Sequence, residues 1–395
     1  MTKPIPYGKQ NITEEDIKSV IDVLKSDFLT QGPEIEYFET AFSGYIESKY
    51  TVAVSNGTAA LHLAALALGV KENSNVITTP ITFAASANCV RYCGGNVFFC
   101  DIDPNTYVLD TKKLEMLILS KPKGFFTGII PVDFAGFAVD LETVRAIADR
   151  HGLWIIEDAC HAPGGYFVDK SGVKQYCGNG NYADLSIFSF HPVKHIAMGE
   201  GGAITTNNPE LYQKLKVLRS HGIVRDQNAF KNPYEIASGD KNSESYGAWY
   251  YEMQTLGYNY RLTDFQAALG TSQLKRAVQG LQRRKEIAKK YSEAFTVHPG
   301  IFSQSGNQPG HAYHLYVINI ANRDQLFTTL RSANVFAQIH YFPVHLMPYY
   351  QEMGWQLGDF PLSEEYYSRC ISLPMYPTLT NEEQDEVIEI ILAHR

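Results

Sequence analysis

The sequence predicts an α/β protein in which a mostly parallel central sheet forms a large domain and a smaller α/β domain follows. From residue 50, short apolar runs alternate with segments of helical periodicity, a pattern typical of parallel strands covered by helices on both faces. From about Leu262 the alternation gives way to a long helical stretch rich in Gln, Lys and Arg. We therefore predict an N-terminal arm and large domain at residues 1–260, and a long helix and smaller domain at residues 261–395.

The large domain is expected to begin with a helix and to continue through seven buried strands. Thr13 is the predicted N-cap of that helix, because Glu14, Glu15 and Asp16 place negative charge in its first turn. The strands are predicted at residues 51–54, 76–79, 97–100, 128–132, 154–156, 185–190 and 203–205. Residues 222–250 are polar and aromatic without clean periodicity, which indicates an ordered loop.

The smaller domain is expected to combine helices and strands in a second, shorter alternation. A long helix is predicted from Leu262, followed by strands at residues 313–320 and 335–339 with a helix between them. The last helix is marked by a capping box, in which Glu383 follows Thr380 by three residues. No flexible linker is visible, so we expect the two domains to share an interface.

Composition excludes several functional classes. The chain has 395 residues, 45% of them hydrophobic, and its 34 Lys and Arg against 42 Asp and Glu give a net charge of −8. This balance argues against partners such as nucleic acid or an anionic membrane. Six cysteines without CxxC spacing indicate reduced thiols rather than disulfides or a metal site. With neither a signal peptide nor an apolar span, a cytoplasmic location is expected.

Three segments carry candidate chemistry. Asp158 ends an apolar strand, where α/β sheets place ligand-binding groups, although it could also be an N-cap or a solvated loop acid. Lys194 follows another buried strand, and partial burial there would favour a nucleophilic neutral amine, although most lysines are simply solvated. The turn containing Gly57 and Thr58 opens a helix whose free N–H groups suit a phosphate, although it could be only a capped turn.

A phosphate site, a strand-end aspartate and a strand-end lysine are together what pyridoxal 5′-phosphate requires. Lys194 would bind the coenzyme covalently, and Asp158 would keep the pyridine nitrogen protonated. The helix N-terminus at Gly57 and Thr58 would bind the phosphate. The three segments therefore predict a pyridoxal-phosphate enzyme.

The chain also resembles a known family over nearly its whole length. It is similar to the DegT/DnrJ/EryC1/StrS sugar-nucleotide aminotransferases, which have the fold of type I pyridoxal-phosphate enzymes. The resemblance is carried by LTQG at 29–32, SNGTAA at 55–60, TF at 82–83, EDACHA at 157–162, SFHPVK at 189–194, GEGG at 199–202 and GYNYRLTDFQAALG at 257–270. It implies that L-glutamate donates an amino group to a nucleotide-linked keto sugar.

The resemblance also implies roles for particular residues around the coenzyme. Phe83 would stack on the coenzyme ring and His161 would lie beside its phenolic oxygen, as a third catalytic residue with Lys194 and Asp158. Ser189 would join Gly57, Thr58 and Ala59 around the phosphate. Asn259 would reach the phosphate of a neighbouring subunit, so the resemblance implies a homodimer with shared active sites.

Within the family, the resemblance is to the branch that acts in pseudaminic acid synthesis. It is carried by HPVK at 191–194, WYYE at 249–252 and QIHYFPVH at 338–345. This branch aminates C4 of a UDP-linked 4-keto-6-deoxy-N-acetylhexosamine. Residues matching its sugar-nucleotide contacts are Tyr7, Asp27, Phe28, Leu29, Thr30, Gly57, Gln338, Ile339, His340 and Tyr341. Two departures, Ala197-Met198 in place of a common Thr and His161 in place of Gln, bear on the choice of substrate.

Alternative functions stay open at this point. The acceptor could be another keto sugar, dTDP-linked or aminated at C3, and a non-catalytic regulatory protein could share the fold. A related 3-dehydratase is disfavoured, because those enzymes carry His where this chain has Lys194.

Two apparent motifs are rejected on context. Residues 178–183 fit a dinucleotide fingerprint but precede a strand rather than a helix. His191 and His195 are four apart but are separated by Pro192, which disfavours a helical zinc site.

Overall fold

A seven-stranded sheet forms the centre of the large domain in the computed structural model, which describes residues 3–296, 298–304 and 309–394. Six strands run parallel, and Gly202–Thr206 is antiparallel to both of its neighbours. In spatial order the strands are Tyr50–Val54, Gly202–Thr206, Leu185–Ser189, Trp154–Asp158, Gly128–Ile130, Asn75–Thr78 and Asn96–Phe99. All seven predicted strands are confirmed, with ends shifted by one or two residues.

Helices cover both faces of this sheet, and alternation along the strands shows it directly. Ile129 and Ile155 belong to one apolar core, whereas the next residues, Ile130 and Ile156, belong to the other. Because successive strand residues point to opposite faces, both faces are buried. The helices of this domain are Glu14–Leu24, Pro33–Ile46, Gly57–Ala67, Ala85–Tyr92, Thr111–Leu119, Leu141–His151 and Pro209–Arg219. The mostly parallel α/β architecture is therefore confirmed.

Two predicted helix starts are confirmed by their hydrogen bonds. Thr13 accepts a hydrogen bond from the Asp16 N–H, and its own N–H donates to the Asp16 carboxylate at 2.9 Å. Thr380 and Glu383 form the same reciprocal pair at the start of Asn381–Ala393.

The long helix predicted from Leu262 is instead two helices, Asp264–Leu274 and Ala277–Phe295. The break falls at Arg276, whose φ of −110° and ψ of 4° are not helical. The Arg276 guanidinium forms an ion pair with the buried Asp16 of the first helix, so a long-range contact accompanies the break.

The C-terminal part contains an antiparallel sheet of Ile301–Ser303, Tyr316–Ile320 and Cys370–Leu373. The predicted strand at 313–320 therefore begins three residues late, and Cys370–Leu373 was not predicted. The predicted strand at 335–339 is only Val335–Phe336, which pairs with Ile5–Pro6 from the N-terminal arm. The helices here are Arg323–Ser332, Pro348–Gln351 and Pro361–Arg369. The boundary near residue 261 stays a prediction.

The remaining elements are short. The expected loop at 222–250 carries the helix Tyr234–Ser238 and begins with Ile223–Val224, which pairs with Glu252–Met253. A hairpin of Tyr166–Val168 and Lys174–Tyr176 precedes the strand Leu185–Ser189. Single 3₁₀ turns lie at Phe134–Gly136, Gln227–Ala229 and Val344–Leu346. In the described part of the chain, every helix is too short or too polar to cross a membrane.

Candidate active site

A cavity of about 700 Å³ opens at the carboxyl ends of the parallel strands. The sheet register brings Asp158 beside Ile187, and Gly202 beside both Val54 and Ser189, so distant segments meet at this edge. The predicted site residues that line the cavity are Tyr7, Gly57, Thr58, Ala59, Phe83, Asp158, His161, Ser189, Lys194, His340 and Tyr341.

The start of the helix Gly57–Ala67 forms a cradle suited to an anion. The Asn56 side chain caps the helix by accepting a hydrogen bond from the Ala59 N–H at 2.8 Å. Among the described residues, no hydrogen bond uses the N–H groups of Gly57 and Thr58. A Cβ on Gly57 would lie 3.0 Å from the Ser189 Cβ, so glycine lets these two walls approach closely. Two free N–H groups at a helix N-terminus beside hydroxyls fit a phosphate.

Asp158 is the last residue of its strand and is only 5% exposed. Its Oδ2 accepts a hydrogen bond from the Ser86 hydroxyl at 2.6 Å, and its Oδ1 accepts one from the Cys160 N–H at 3.2 Å. Ser86 is itself 2.7 Å from the Thr82 hydroxyl. The carboxylate is thus fixed at the cavity wall, where it can receive a proton-bearing nitrogen of a ligand.

Lys194 is half-buried in a turn and its amine lines the cavity. Burial lowers the pKa of the Lys194 amine; nearby Cys160 and Asp158 act to raise it, and Arg284 acts to lower it. Nζ donates a hydrogen bond to His314 Nε2 at 3.4 Å. A lysine with a lowered pKa holds more neutral amine at neutral pH than a solvated one, as a nucleophile requires.

His161 is held in one orientation by two hydrogen bonds. Its Nδ1 accepts from the Ala135 N–H at 3.2 Å, which places the ring proton on Nε2. Nε2 lies 3.2 Å from the Tyr341 hydroxyl. Burial keeps the pKa of His161 well below its usual value and raises that of Tyr341, so both side chains are neutral hydrogen-bonding groups at neutral pH.

The mouth of the cavity is partly aromatic. Phe83 is 63% exposed, and its ring lies 6.3 Å from that of Tyr341. Tyr7 packs against His340 with ring centroids 5.2 Å apart. The N-terminal arm and the C-terminal part of the chain therefore complete a wall that the large domain leaves open.

Other predicted residues are not among those lining the cavity. Asp27, Phe28, Leu29 and Thr30 are exposed, and the Leu29 carbonyl accepts from the Asp264 N–H. Gln338 forms two backbone hydrogen bonds with Ser372, and the neighbouring Ile339 is partly buried.

Asn259 is exposed and likewise lies outside the cavity lining, although the adjacent Tyr260 lines it. Adjacent side chains on an extended segment point in opposite directions, which explains the difference. Its predicted role concerns a second subunit and stays a prediction.

Ser86 and His314, which contact Asp158 and Lys194, were not predicted from the sequence. Ser86 lies four residues after Thr82 on the turn into a helix, and only the fold brings it to Asp158. His314 lies 120 positions beyond Lys194 and two residues before the strand Tyr316–Ile320, although the sequence predicted it as part of that strand. No local pattern marks either residue.

The rejected dinucleotide fingerprint is accounted for structurally. Gly178 has a φ of 85° and donates its N–H to Glu157 Oε2 at 2.9 Å, in a turn that leads into the strand Leu185–Ser189. The fold places no helix N-terminus there, and the rejection of this motif is confirmed.

The residues present fit pyridoxal 5′-phosphate. The cradle at Gly57 has free N–H donors, and a Cβ at this position would fill it. Asp158 presents a carboxylate that is fixed by a hydrogen bond. Lys194 presents its amine to the same cavity. The fold and site thus define a fold-type I pyridoxal-phosphate enzyme.

Comparison with known proteins supports the same assignment. The model of the "DegT/DnrJ/EryC1/StrS aminotransferase family" matches residues 10–392, and the chain belongs to this family. It is therefore an aminotransferase with pyridoxal 5′-phosphate as its coenzyme.

Two relatives match over almost the whole chain. The "Spore coat polysaccharide biosynthesis protein SpsC" of Bacillus subtilis (strain 168) is 38% identical over 98% of this chain and 96% of the relative. The "UDP-4-amino-4,6-dideoxy-N-acetyl-beta-L-altrosamine transaminase" of Campylobacter jejuni subsp. jejuni serotype O:2 is 36% identical over 94% of this chain and 92% of the relative.

Solved structures show the same fold. Helicobacter pylori PseC, an "aminotransferase involved in the biosynthesis of pseudoaminic acid", superposes with a TM-score of 0.85 at 29% identity, covering 99% of this chain and 98% of that chain. The PLP-form of the putative sugar aminotransferase Spr1654 from Streptococcus pneumoniae gives a TM-score of 0.86 at 27% identity, with 98% and 97% covered.

Proposed function

We propose that this aminotransferase moves the amino group of L-glutamate to C4 of a UDP-linked 4-keto-6-deoxy-N-acetylhexosamine, the acceptor used in pseudaminic acid synthesis. The observation that carries the proposal is the joint wall of Tyr7, His340 and Tyr341 beside Lys194 in one cavity. Its support from similarity is the name of the Campylobacter jejuni relative and the pathway named for Helicobacter pylori PseC.

The coenzyme is proposed to bind with its phosphate at the N–H groups of Gly57 and Thr58 and the hydroxyl of Ser189, and with its pyridine nitrogen at Asp158. When bound, pyridoxal 5′-phosphate supplies a carbonyl that condenses with amines and a ring that withdraws electrons. Ala59 and Phe83 would complete the contacts to it. The Ser86 hydrogen bond holds Asp158 as the partner of the ring nitrogen.

Lys194 is proposed to move protons in both halves of the reaction. Its Nζ, as the neutral amine, takes a proton from the α-carbon of glutamate. In the second half Nζ delivers a proton to C4 of the sugar, where the new C–N bond has formed. His161 and Tyr341, neutral and hydrogen-bonded to each other, orient polar groups beside Nζ without adding charge.

The acceptor would lie against the wall formed by Tyr7, His340 and Tyr341. His340 Nδ1 is 2.9 Å from the Ser372 hydroxyl, and the Tyr366 hydroxyl donates to the His340 carbonyl at 2.7 Å. A wall fixed in this way discriminates between acceptors when a wrong sugar leaves its polar groups unpaired. Asp27, Phe28, Leu29, Thr30, Gln338 and Ile339 stay proposed contacts to the nucleotide.

The active enzyme is proposed to be a homodimer in which Asn259 of each chain completes the other chain's phosphate site. Asn259 is exposed although Tyr260, its neighbour, lines the cavity of its own chain. The exposed Phe83 lies at the cavity mouth, where a second chain would cover it.

A single-turnover assay tests the substrate. The enzyme loaded with pyridoxamine 5′-phosphate would be mixed with the UDP-linked 4-keto acceptor of L-arabino configuration, with its C5 epimer, with a dTDP-linked 4-keto-6-deoxyglucose, or with a nucleotide-linked 3-keto sugar. The proposal expects the first to be aminated fastest. Faster amination of the dTDP sugar, or of a 3-keto acceptor, would support the alternative of another keto sugar and overturn the proposed substrate.

A further inference from the structure

His314 is the side chain that contacts the catalytic amine. Among the described residues, the hydrogen-bond partner of Lys194 Nζ is His314 Nε2, 3.4 Å away. His314 is 4% exposed, and its carbonyl accepts from the Arg284 guanidinium at 3.3 Å. The histidine is therefore anchored through its backbone by a buried arginine, while its ring faces the lysine.

Two other histidine rings lie beside that of His314. The ring of His161 is 4.3 Å away and the ring of His195 is 5.8 Å away, both tilted by about 40°. His195 binds the Ala312 carbonyl through Nε2 at 2.8 Å, and His161 is bound by Ala135 and Tyr341. Of these three rings, His314 is the one that forms a hydrogen bond with Lys194 Nζ.

The protonation state of His314 follows from its surroundings. Burial holds the pKa of His314 well below its usual value, and the positive charge of Lys194 lowers it further. The titratable and charged groups around the Lys194–His314 pair are Asp158, Cys160, His161, His195, Arg284 and His340. A neutral imidazole with a lone pair on Nε2 accepts a hydrogen bond from an ammonium group without repelling it.

We propose that His314 is a positioning residue for Lys194, whose Nε2 accepts a hydrogen bond from the ε-ammonium and holds Nζ in the cavity whenever the lysine is not bonded to the coenzyme. The inference rests on the proposed role of Lys194. No proton leaves the lysine in this contact; the histidine orients the ammonium and stabilises its charge. Once Nζ has taken a proton, the resulting ammonium is thus kept beside the carbon to which it must deliver that proton.

The test compares His314→Gln with His314→Asn. The Gln amide reaches the position of Nε2 and keeps an acceptor near Nζ, whereas the shorter Asn amide reaches only that of Nδ1. The full-length enzyme would be loaded with pyridoxamine 5′-phosphate, which has no aldehyde and leaves Lys194 free. Acylation of Lys194 by an acetyl N-hydroxysuccinimide ester would then be followed against pH by peptide mass spectrometry.

Loss of the acceptor destabilises the ammonium, so the midpoint of Lys194 acylation should fall by about 1 pH unit in His314→Asn. It should stay near the wild-type midpoint in His314→Gln. His195→Gln is the matched control, because His195 lies beside the same ring but binds a backbone carbonyl. Thermal melting of each variant checks that the fold is retained.

An unchanged midpoint in a folded His314→Asn enzyme, or equal shifts in the Gln and Asn variants, would overturn the proposal. If His314→Asn does not fold, His314→Leu removes the acceptor at similar volume and must give the same downward shift. These results are independent of catalysis. Failure of Lys194 to bond pyridoxal 5′-phosphate would instead overturn the proposed function.

Discussion

The Ser86 hydroxyl donates a 2.6 Å hydrogen bond to Oδ2 of Asp158, and the Ser186 hydroxyl donates a bond of the same length to the preceding carboxylate, Glu157. Adjacent carboxylates on one strand thus point to opposite sides of the sheet, each with a serine donor. Of these two carboxylates, only that of Asp158 lines the cavity. The Ser86–Asp158 pair lies on the cavity side and the Ser186–Glu157 pair on the other side of the sheet. A substitution of one serine is therefore a control for the same substitution of the other.

Ser86→Ala should slow the half-reaction with L-glutamate by roughly tenfold, because the Asp158 carboxylate loses the hydroxyl that fixes its orientation. Stopped-flow absorbance of the coenzyme measures the rate. Ser186→Ala removes an equivalent bond on the core side and should lower the melting temperature while leaving that rate within about twofold. Equal rates in Ser86→Ala and the wild type would contradict a role for this serine in holding Asp158.

Lys194→Ala should bind pyridoxal 5′-phosphate without a covalent bond and should lose transamination. Since the cavity also contains the cradle at Gly57 and the Asp158 carboxylate, coenzyme binding itself should persist. Mass spectrometry after borohydride reduction would show the coenzyme attached to the wild-type chain only. A reduced adduct on the variant would place the reactive lysine elsewhere.

Subunit sharing predicts complementation between two inactive chains. Lys194→Ala and Asn259→Asp should each be inactive alone, the second because a carboxylate repels the partner's coenzyme phosphate. Mixed chains should regain part of the wild-type activity, because one site of each hybrid dimer has both native residues. Native mass spectrometry of differently tagged chains would establish that the two variants exchange subunits and form hybrid dimers. Proven hybrids without activity would argue against a shared site.

A buried acid pair predicts a pH dependence of stability. Asp133 and Glu157 are almost fully buried, with a carboxylate oxygen of each within 4.8 Å of the other. Burial raises the pKa of both, and the Glu157 charge raises that of Asp133 further. Glu157 accepts from Ser186 and Gly178, so we assign the proton to Asp133.

An acid whose folded pKa is raised contributes stability that is complete below its unfolded pKa of about 4 and is lost as pH rises through the folded value. Asp133→Asn mimics the protonated acid at every pH, and its amide oxygen can still accept from the Val139 N–H. The melting temperature should therefore fall less between about pH 5 and about pH 8 in the variant than in the wild type. Parallel curves would show that Asp133 is not the group that titrates.

Sequence periodicity was sufficient for the central sheet, because parallel strands buried on both faces are continuous apolar runs with little ambiguity. It was less accurate in the C-terminal part. Arg276 looked like one more residue of a long helix, and its ion pair with Asp16 depends on residues 260 positions apart. Cys370–Leu373 is only four residues long and follows directly from a helix, so its pattern was too short to recognise.

That Asp158 and Lys194 line one cavity was predictable for a similar reason, since they end or follow strands whose carboxyl ends must share one edge. Ser86 and His314 were not, because their importance lies in what they contact and not in their local sequence. Residues 27–30, 338 and 339 lie outside the lining of this chain's cavity, so their contacts with the nucleotide stay predictions.

The pairing of Ile5 with Val335, and the hydrogen bond from the Met375 N–H to the Tyr7 carbonyl, set an order of events during protein synthesis. Ile5 and Tyr7 are synthesised more than 300 residues before their partners, Val335 and Met375. At about 5–20 residues per second, the N-terminal arm waits on the order of half a minute for the strand and loop that hold it. The sheet can fold in that interval, whereas the Tyr7 wall of the cavity forms only after Met375 has been synthesised.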